Sequence, residues 1–248
     1  MNTPNSPTPA AVGAGLDLSR VQAITLDLDD TLWPIWPTIA RAEVRMLAWL
    51  EAHAPQTAAL CRLPGRMKAA REHLGRERPD LAHDLSALRR ETIRHLLVQA
   101  GDDPALSTGA FEVFFDERQR VDLFEDALPA LAWLSERFPV VALSNGNADL
   151  DRVGIAQHFR SAISARGFGV GKPDPRIFHA AADAAGVAAT AVLHIGDDMH
   201  LDAVGALGAG MQAAWINRDG RAWAHDPWQP NLMVNDLRAL VEAMTVAG

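Results

Sequence analysis

Cysteine is almost absent from this chain of 248 residues, since Cys61 is the only one. A single cysteine excludes an intrachain disulfide and a cysteine-based metal cluster. No apolar stretch approaches the ~18–20 residues that span a lipid bilayer, so we expect no membrane partner. The first fifteen residues lack the charged and apolar regions of a signal peptide, and we therefore predict a cytoplasmic protein.

Long basic runs are missing as well, and the formal net charge is −8 with a pI near 5.5. Nucleic acid is therefore not expected as a partner, because nothing offsets the overall negative field. A small anionic substrate is compatible with this charge if cations at the site reverse the field locally. With 48% hydrophobic and 22% charged residues, the composition is that of an ordinary soluble globular protein. No feature of the sequence predicts the oligomeric state.

The hydrophobic pattern divides the chain into a tail and two domains. Residues 1–17, rich in Pro, Ala, Thr and Asn, predict a disordered tail. Residues 36–121 contain four successive amphipathic helical patterns and no convincing strand, which indicates a helical bundle inserted into another domain. In residues 18–35 and 122–248, apolar strands alternate with helices as in repeated βα units. The predicted fold class is α/β: a doubly wound, mostly parallel sheet with an inserted helical-bundle cap.

Local signals predict two boundaries of the cap helices. Thr38 follows a segment with two prolines, and its hydroxyl is expected to cap the first helix. Gly101 follows an apolar helical pattern and is expected to end the third helix.

An apolar run, Val21 to Leu26, predicts a buried strand that ends in a cluster of acids. Asp27, Asp29 and Asp30 lie within four residues, so a cation or proton sharing must offset their mutual repulsion. Ligands of open α/β sheets bind at the carboxyl ends of strands, where Asp27 and Asp29 can meet a single ligand. The alternative is a polar strand exit with solvated acids.

Anion-binding groups are predicted at later strand ends. Ser144, Asn145 and Gly146 follow the apolar run 139–143 and open a helix, so a hydroxyl and exposed backbone N–H groups can form an anion cradle. An ordinary N-cap turn would explain the same residues. Lys172 lies between a glycine pair and a proline that starts a helix, which is a rigid position for one cation. A solvated loop lysine is the alternative.

A second acidic group, Asp197, Asp198 and Asp202, follows the apolar run 191–195. These carboxylates can complete a site for Mg²⁺, which prefers oxygen ligands and retains waters. Two acids, an anion cradle, a lysine and a metal site suit phosphoryl transfer, which depends mainly on charge neutralisation and positioning. In such a reaction one aspartate attacks phosphorus to form an aspartyl-phosphate, and a second aspartate moves protons.

Four segments in this order resemble the ordered motifs of the haloacid dehalogenase superfamily. They are DLDDTL at 27–32, SNG at 144–146, GKPDP at 171–175 and GDDMHLD at 196–202. The match spans the whole predicted core, and the helical insertion after the first motif resembles the C1 cap of that superfamily, which is expected to close over the site. The resemblance implies a Mg²⁺-dependent phosphatase that forms an aspartyl-phosphate on a small phosphorylated metabolite.

The resemblance also implies the reacting residues. Asp27 is expected to be the nucleophile and Asp29 the general acid and base. Dehalogenase members lack an acid two positions after the nucleophile, so the presence of Asp29 favours a phosphatase over a dehalogenase. Phosphonate cleavage would require a Schiff-base lysine in the cap, where Lys68 is the only lysine and nothing in the sequence suggests a lowered pKa. A non-catalytic binding protein on the same fold is a further alternative, disfavoured because every catalytic position is filled.

Phosphate and metal ligands are implied in the same way. The residues expected to bind the phosphoryl group are Ser144, Asn145, Gly146 and Lys172. The residues expected to bind Mg²⁺ are Asp27 and Asp197 through their carboxylates and Asp29 through its backbone carbonyl. The residues expected to support the metal site are Asp198 and Asp202. Asp30 is expected to be a structural residue at the turn.

A narrower resemblance is to bacterial phosphatases that act on flavin mononucleotide and on 5-amino-6-(5-phospho-D-ribitylamino)uracil. It rests on DLDDTLWP at 27–34, LSNGNA at 143–148, LHIGDDMHLDAVGA at 193–206 and GMQAAWINRDG at 210–220. It implies a substrate with a ribityl phosphate and a flat ring, on which Trp33 or Trp36 would stack. Packing of these aromatic residues at the hinge of the cap is the alternative. Sugar phosphates and nucleotides are the other substrate classes that we consider.

Overall fold

The computed structural model describes residues 15–246, so the first fourteen residues of the predicted disordered tail lie outside the described range. The described residues form two compact units. We call the first the sheet unit; it contains the residues up to Trp33, Leu123–Asn145, and the residues from Ile155 onwards. We call the second the helical unit; it contains Pro34–Asp122 and Gly146–Gly154.

The α-helices of the described residues belong to both units. In chain order they are α1 (Ile35–His53), α2 (Pro55–Cys61), α3 (Arg66–Glu77), α4 (Leu85–Ala100), α5 (Ser107–Arg118), α6 (Ala127–Ser135), α7 (Leu150–Val153), α8 (Ala165–Phe168), α9 (Pro175–Ala185), α10 (Gly205–Gly208) and α11 (Leu237–Val246). Short 3₁₀ turns cover Leu18–Arg20, Pro79–Leu81, Pro104–Leu106, Ala156–His158 and Ala189–Ala191, and a π-helical segment covers Met199–Val204. Within residues 15–246, no helix has both the length and the apolar character needed to cross a membrane.

The sheet unit contains a six-stranded parallel sheet in the order β3-β2-β1-β4-β5-β6. The strands are β1 (Ala23–Leu26), β2 (Val140–Ser144), β3 (Ser161–Ser164), β4 (Val192–Gly196), β5 (Gln212–Ile216) and β6 (Leu232–Val234). The four central strands are buried along their whole length, as their largely apolar sequences predict. Strand order reverses between β1 and β4, a switch point of the kind at which ligands bind in α/β proteins. The predicted doubly wound sheet is confirmed.

Helix α9 covers part of the sheet through an apolar stripe. Ile177, Phe178 and Ala181 are fully buried in one core cluster with residues of β2, β4 and β5, because positions three and four apart lie on the same helix face. Burial of a side chain such as that of Phe178 contributes about 1.5–3 kcal/mol. Asp174 caps the helix by accepting a hydrogen bond from the Arg176 N–H at 3.0 Å, so the helix begins directly after the loop that carries Lys172.

The helical unit has its own apolar core. On α1, Ala42, Met46 and Leu50 recur every four residues and are fully buried. They share this core with Ile93 and Leu97 of α4. These apolar side chains of the helical unit are therefore buried against one another.

One predicted helix boundary is confirmed and the other is wrong. Helix α4 ends at Gly101, whose φ of +81° is a left-handed conformation that glycine adopts without strain. Thr38 does not cap α1, because that helix already begins at Ile35. Pro37 is tolerated in the first turn, where N–H groups have no intrahelical acceptor. The Thr38 hydroxyl instead donates to the Pro34 carbonyl at 3.4 Å.

Candidate active site

The parallel register of the sheet brings the two acidic groups together at one edge. Leu26, the last residue of β1, pairs with Ile195 of β4, and the next N–H, that of Asp27, donates to the Ile195 carbonyl at 2.9 Å. Asp197 follows the last residue of β4 directly. As a result, carboxylate oxygens of Asp27, Asp197 and Asp202 all lie within 4.8 Å of one another.

Lys172 is the cation of this cluster, and its side chain is only 2% exposed. Its Nζ donates to Asp27 Oδ1 at 2.5 Å and to Asp202 Oδ1 at 2.6 Å. The alternative of a solvated loop lysine is therefore wrong, because the side chain points into the sheet edge and not into solvent. Lys172 is bonded there to both acidic groups.

Asn145 holds the backbone of Lys172 in place. The Asn145 side chain accepts a hydrogen bond from the Lys172 N–H at 2.7 Å and donates one to the Lys172 carbonyl at 2.9 Å. A side chain at Gly171 would lie only 2.7 Å from Asn145 Oδ1, so glycine is needed at that position. The amide of Asn145 thus joins the end of β2 to the lysine loop, a function that its position in the sequence did not indicate.

A buried histidine extends the network into the sheet. His194 Nε2 lies 3.1 Å from Asp202 Oδ1, and His194 Nδ1 lies 2.8 Å from Thr25 Oγ1. Because a carboxylate only accepts, Nε2 carries the proton and Nδ1 accepts from the threonine hydroxyl. Burial lowers the pKa of His194, which favours this neutral form. Gly196 leaves room for Asp202, since a Cβ at that position would lie 2.3 Å from Asp202 Cγ.

The acids of the cluster differ in pKa because their partners differ. Burial raises the pKa of Asp27 to about 7, against the attraction of Lys172. Burial raises the pKa of Asp197 to about 8, and the charges of Asp202 and Asp27 add to the effect. Burial alone would also raise the pKa of Asp202, but Lys172 and His194 outweigh it and the pKa is lowered. Asp202 is therefore a permanent anion, whereas Asp27 and Asp197 carry charges that their surroundings do not fully compensate.

Lys172 is a permanent cation by the same reasoning. Burial alone would lower its pKa, but the charges of Asp202 and Asp27 outweigh burial and the pKa is raised. The ionised cluster then holds three carboxylates and one ammonium group. A divalent cation would balance the remaining charge, and the oxygen donors of the cluster are the type that Mg²⁺ prefers.

The loop after Asp27 is fixed by hydrogen bonds of its own. Asp30 has a φ of +61°, a left-handed conformation that aspartate tolerates better than most residues, and its N–H donates to the Trp33 carbonyl at 2.7 Å. The Trp33 indole N–H donates to Asp29 Oδ1 at 2.8 Å. The Thr31 hydroxyl lies 3.4 Å from a carboxylate oxygen of both Asp27 and Asp197. Asp30 therefore has a turn conformation, in agreement with the structural role expected for it.

The two tryptophans expected to stack on a substrate are in different surroundings. Trp33 has no exposed surface, and its N–H is bonded to Asp29. Its ring would have to be uncovered before a ligand could stack on it, so the structure gives this role no support. Trp36 is 67% exposed. Stacking on Trp36 stays a prediction.

The structure also gives the positions of the other predicted site residues, which are Ser144, Gly146 and Asp198. Ser144 is the buried last residue of β2, and Gly146 begins the second segment of the helical unit. Asp198 caps the π-helical segment, because its Oδ1 accepts hydrogen bonds from the His200 and Leu201 N–H groups at 2.8 Å. Asp202 Oδ2 accepts from the Asp198 N–H at 3.0 Å. Asp198 and Asp202 thus support the loop that carries Asp197.

Other groups orient this edge although they were not among the predicted site residues. The Asp197 carbonyl accepts hydrogen bonds from Trp215 Nε1 at 2.7 Å and from Arg221 Nη2 at 2.9 Å. Arg218 donates to the Thr31 carbonyl at 3.0 Å and pairs with the buried Asp126 at 3.1 Å. Trp215 and Arg218 belong to the segment 210–220 of the narrower resemblance, which was the only available signal for them.

Comparison with known proteins gives four findings. The model for haloacid dehalogenase-like hydrolases matches residues 21–210. The chain is 31% identical to the 5-amino-6-(5-phospho-D-ribitylamino)uracil phosphatase YigB of Escherichia coli, over 80% of this chain and 84% of that protein. It is 34% identical to a phosphoserine phosphatase of Thermus thermophilus, over 90% of this chain and 100% of that protein. Among solved structures, a 2-haloacid dehalogenase from Pseudomonas syringae has a TM-score of 0.83 and 38% identity, covering 92% of this chain and 100% of its own.

Proposed function

The chain belongs to the haloacid dehalogenase-like hydrolase family, and we propose that it is a Mg²⁺-dependent phosphatase that works through an aspartyl-phosphate. The predicted enzyme class, phosphoric monoester hydrolase, is confirmed by relatives that are named phosphatases, among them the Escherichia coli and Thermus proteins, which align over at least 80% of this chain. The observation that carries the mechanism is the buried pair of Asp27 and Lys172 at the end of β1. Asp29 lies two residues beyond the proposed nucleophile.

Mg²⁺ fits the acidic cluster by charge and by donor type. We propose that the Asp27 and Asp197 carboxylates and the Asp29 backbone carbonyl hold it, because Asp202 is already bonded to Lys172 and His194. When bound, the ion would neutralise the uncompensated charge of the cluster and of an incoming phosphate. Asp198 and Asp202 would support this site through the hydrogen bonds that fix the Asp197 loop.

The first proposed step is attack of an Asp27 carboxylate oxygen on phosphorus. The new bond joins Asp27 to phosphorus, the bond from phosphorus to the ester oxygen breaks, and Asp29 gives its proton to that oxygen. An ammonium group has three donors, and Lys172 uses two of them on Asp27 and Asp202. The third can bind a phosphoryl oxygen together with the Ser144 hydroxyl and the backbone N–H of Asn145, whose side chain is engaged elsewhere.

The second proposed step is hydrolysis of the aspartyl-phosphate. Asp29, now ionised, takes a proton from water as the water oxygen attacks phosphorus. The bond between phosphorus and Asp27 breaks, which releases inorganic phosphate and returns both carboxyl groups to their starting state. Lys172 stays charged throughout, because its raised pKa keeps it protonated.

A small phosphorylated metabolite is the proposed substrate. The first candidate is 5-amino-6-(5-phospho-D-ribitylamino)uracil, supported by the similarity to YigB. Flavin mononucleotide is the second candidate, which rests on the motifs of the narrower sequence resemblance. Phosphoserine is an alternative supported by the Thermus relative, and sugar phosphates and nucleotides are further alternatives. A panel of these compounds, assayed by phosphate release with purified protein, would rank them by kcat/KM.

The test of the function itself uses p-nitrophenyl phosphate with and without Mg²⁺. We expect turnover by the native chain with Mg²⁺, little turnover with chelator, and none by Asp27→Asn, which keeps the side-chain shape and removes the nucleophile. Full activity of Asp27→Asn would refute the proposed nucleophile. Absence of phosphate release by the native chain from every phosphomonoester of the panel would refute the proposed function and favour a non-catalytic binding protein.

Dehalogenation is a second candidate because the solved Pseudomonas syringae structure bears that name at 38% identity. A halide leaving group needs no proton, so that reaction would not use Asp29. Halide release from 2-chloropropionate by the native chain, unchanged in Asp29→Asn, would support the dehalogenase. We expect no such release.

A further inference from the structure

The side chain of Trp33 is bonded directly to the proposed general acid. Trp33 Nε1 donates to Asp29 Oδ1 at 2.8 Å, and the whole residue has no exposed surface. An indole N–H can only donate. Asp29 Oδ1 is therefore the acceptor of this hydrogen bond.

Backbone contacts fix Trp33 and Asp29 relative to each other. The Asp30 N–H donates to the Trp33 carbonyl at 2.7 Å, and the Leu32 N–H donates to the Leu28 carbonyl at 2.8 Å. Asp29 and Trp33 also form an isolated β-bridge. Because the ring is buried and both ends of the turn are bonded, the indole holds one rotamer of Asp29 without needing any contact with a ligand.

The held carboxyl group lies close enough to the nucleophile to affect it. Burial is the main cause that raises the pKa of Asp27, and the charge of Asp29 adds to it. The two acids are two residues apart in a turn closed by the Thr31 hydroxyl near Asp27 and by Trp33 at Asp29. Trp33 therefore holds Asp29 within the same closed turn as the proposed nucleophile.

We propose that Trp33 is a positioning residue, whose indole N–H orients the Asp29 carboxyl group for delivery of its proton to the leaving oxygen. This inference rests on the proposed function. As the bond from phosphorus to the ester oxygen breaks, the proton moves from the Asp29 carboxyl group to that oxygen, and the carboxylate left behind is stabilised by the same N–H. The role replaces the stacking role that the sequence had suggested for Trp33.

The experiment compares two substrates that differ in their need for a proton. An alkyl phosphate such as glycerol phosphate has a poor leaving group, whereas p-nitrophenyl phosphate has a good one. Replacing Trp33→Phe keeps an aromatic ring and removes the N–H. We expect kcat/KM for the alkyl substrate to fall about tenfold more than kcat/KM for the aryl substrate, the size typical of one lost hydrogen bond to a charged group.

A double-mutant cycle identifies the group through which Trp33 acts. In the Asp29→Asn background, Trp33→Phe should leave the alkyl-to-aryl ratio unchanged, because the proton donor is already gone. Trp223→Phe is the matched control: it also removes an indole N–H bond, to the Trp228 carbonyl at 2.7 Å, and should not change the ratio. If Trp33→Phe is poorly folded, site-specific replacement by 3-benzothienylalanine removes only the N–H and keeps the bicyclic ring.

Two outcomes would overturn the inference. One is an equal loss of activity on both substrates in the Trp33 variant, and the other is the same change of the ratio when Asp29 is already asparagine. Either result leaves the proposed function intact if the native chain is active and Asp27→Asn is not. Failure of the function itself would be seen earlier, as absence of phosphate release by the native chain from both substrates.

Discussion

The substitution Asp27→Asn should stabilise the metal-free protein at high pH while it removes activity. Asp27 is 6% exposed, and burial raises its pKa from 3.8 to about 7. The pKa of Asp27 is higher in the folded protein than in the unfolded chain. Its protonated carboxyl group therefore contributes fully to stability only at a pH below the unfolded pKa. This contribution is lost as pH rises through the folded value.

The magnitude follows from the shift. A change of one pKa unit corresponds to about 1.36 kcal/mol, so the rise from 3.8 to about 7 sets an upper limit of about 4 kcal/mol on the cost of ionising Asp27. Asp197 shares the same protons and reduces this value, so we expect about 2–4 kcal/mol at about pH 8. Asparagine carries no charge and has no such cost, and it can still accept a hydrogen bond from Lys172.

The assay is urea unfolding of the native chain and the variant in EDTA, followed by circular dichroism. We expect the variant to be more stable by about 2–4 kcal/mol at about pH 8 and by only about 1–2 kcal/mol at about pH 5, because the difference disappears only below the unfolded pKa of 3.8. Asp126→Asn is the control, because this buried carboxylate is paired with Arg218 and bonded to the Leu237 N–H. Loss of the Asp126 carboxylate should lower the free energy of unfolding at both pH values. A destabilised Asp27→Asn protein at about pH 8 would refute the electrostatic reasoning.

Three further predictions concern the same cluster. Mg²⁺ should raise the Tm of the native chain more at about pH 8 than at about pH 5, because protons compete for Asp27 and Asp197; an equal rise would contradict the proposed ligands. Gly196→Ala should lose activity and about 1–3 kcal/mol of stability by forcing Asp202 to move, whereas Gly208→Ala, with open space around it, should be neutral in both. His194→Leu should cost about 1–3 kcal/mol by removing one of the two buried side-chain donors to Asp202; unchanged unfolding in urea would show that this bond contributes nothing.

The sequence predicts the parts of the site that depend on local pattern. The run from Val21 to Leu26 is apolar and partly β-branched, so a buried strand followed by Asp27 follows from burial and periodicity alone. A parallel sheet then brings the ends of β1 and β4 to one edge. Gly101 ends α4 for an equally local reason, its left-handed backbone.

Long-range side-chain contacts could not be predicted in this way. The bond between Thr25 and His194 joins residues 169 positions apart, and nothing in either local sequence indicates the other partner. Asn145 is predicted to bind an anion through its backbone N–H, but the local sequence does not indicate that its side-chain amide binds the backbone of Lys172. Trp33 looked like a stacking residue, since sequence does not show which way an indole N–H points. Thr38 failed as a cap because the first turn of α1 accommodates Pro37.

The roles proposed for the acids follow from the partner that each one has. Asp202 has Lys172 and His194 as donors, so its charge is fully compensated and it is suited to holding other groups in place. Asp27 and Asp197 share too little positive charge, which makes them proton acceptors in the metal-free protein and cation ligands when Mg²⁺ is present. Asp29 accepts a hydrogen bond from the Trp33 indole N–H, so its carboxyl group is oriented by a donor that cannot itself take up the proton that Asp29 is proposed to transfer.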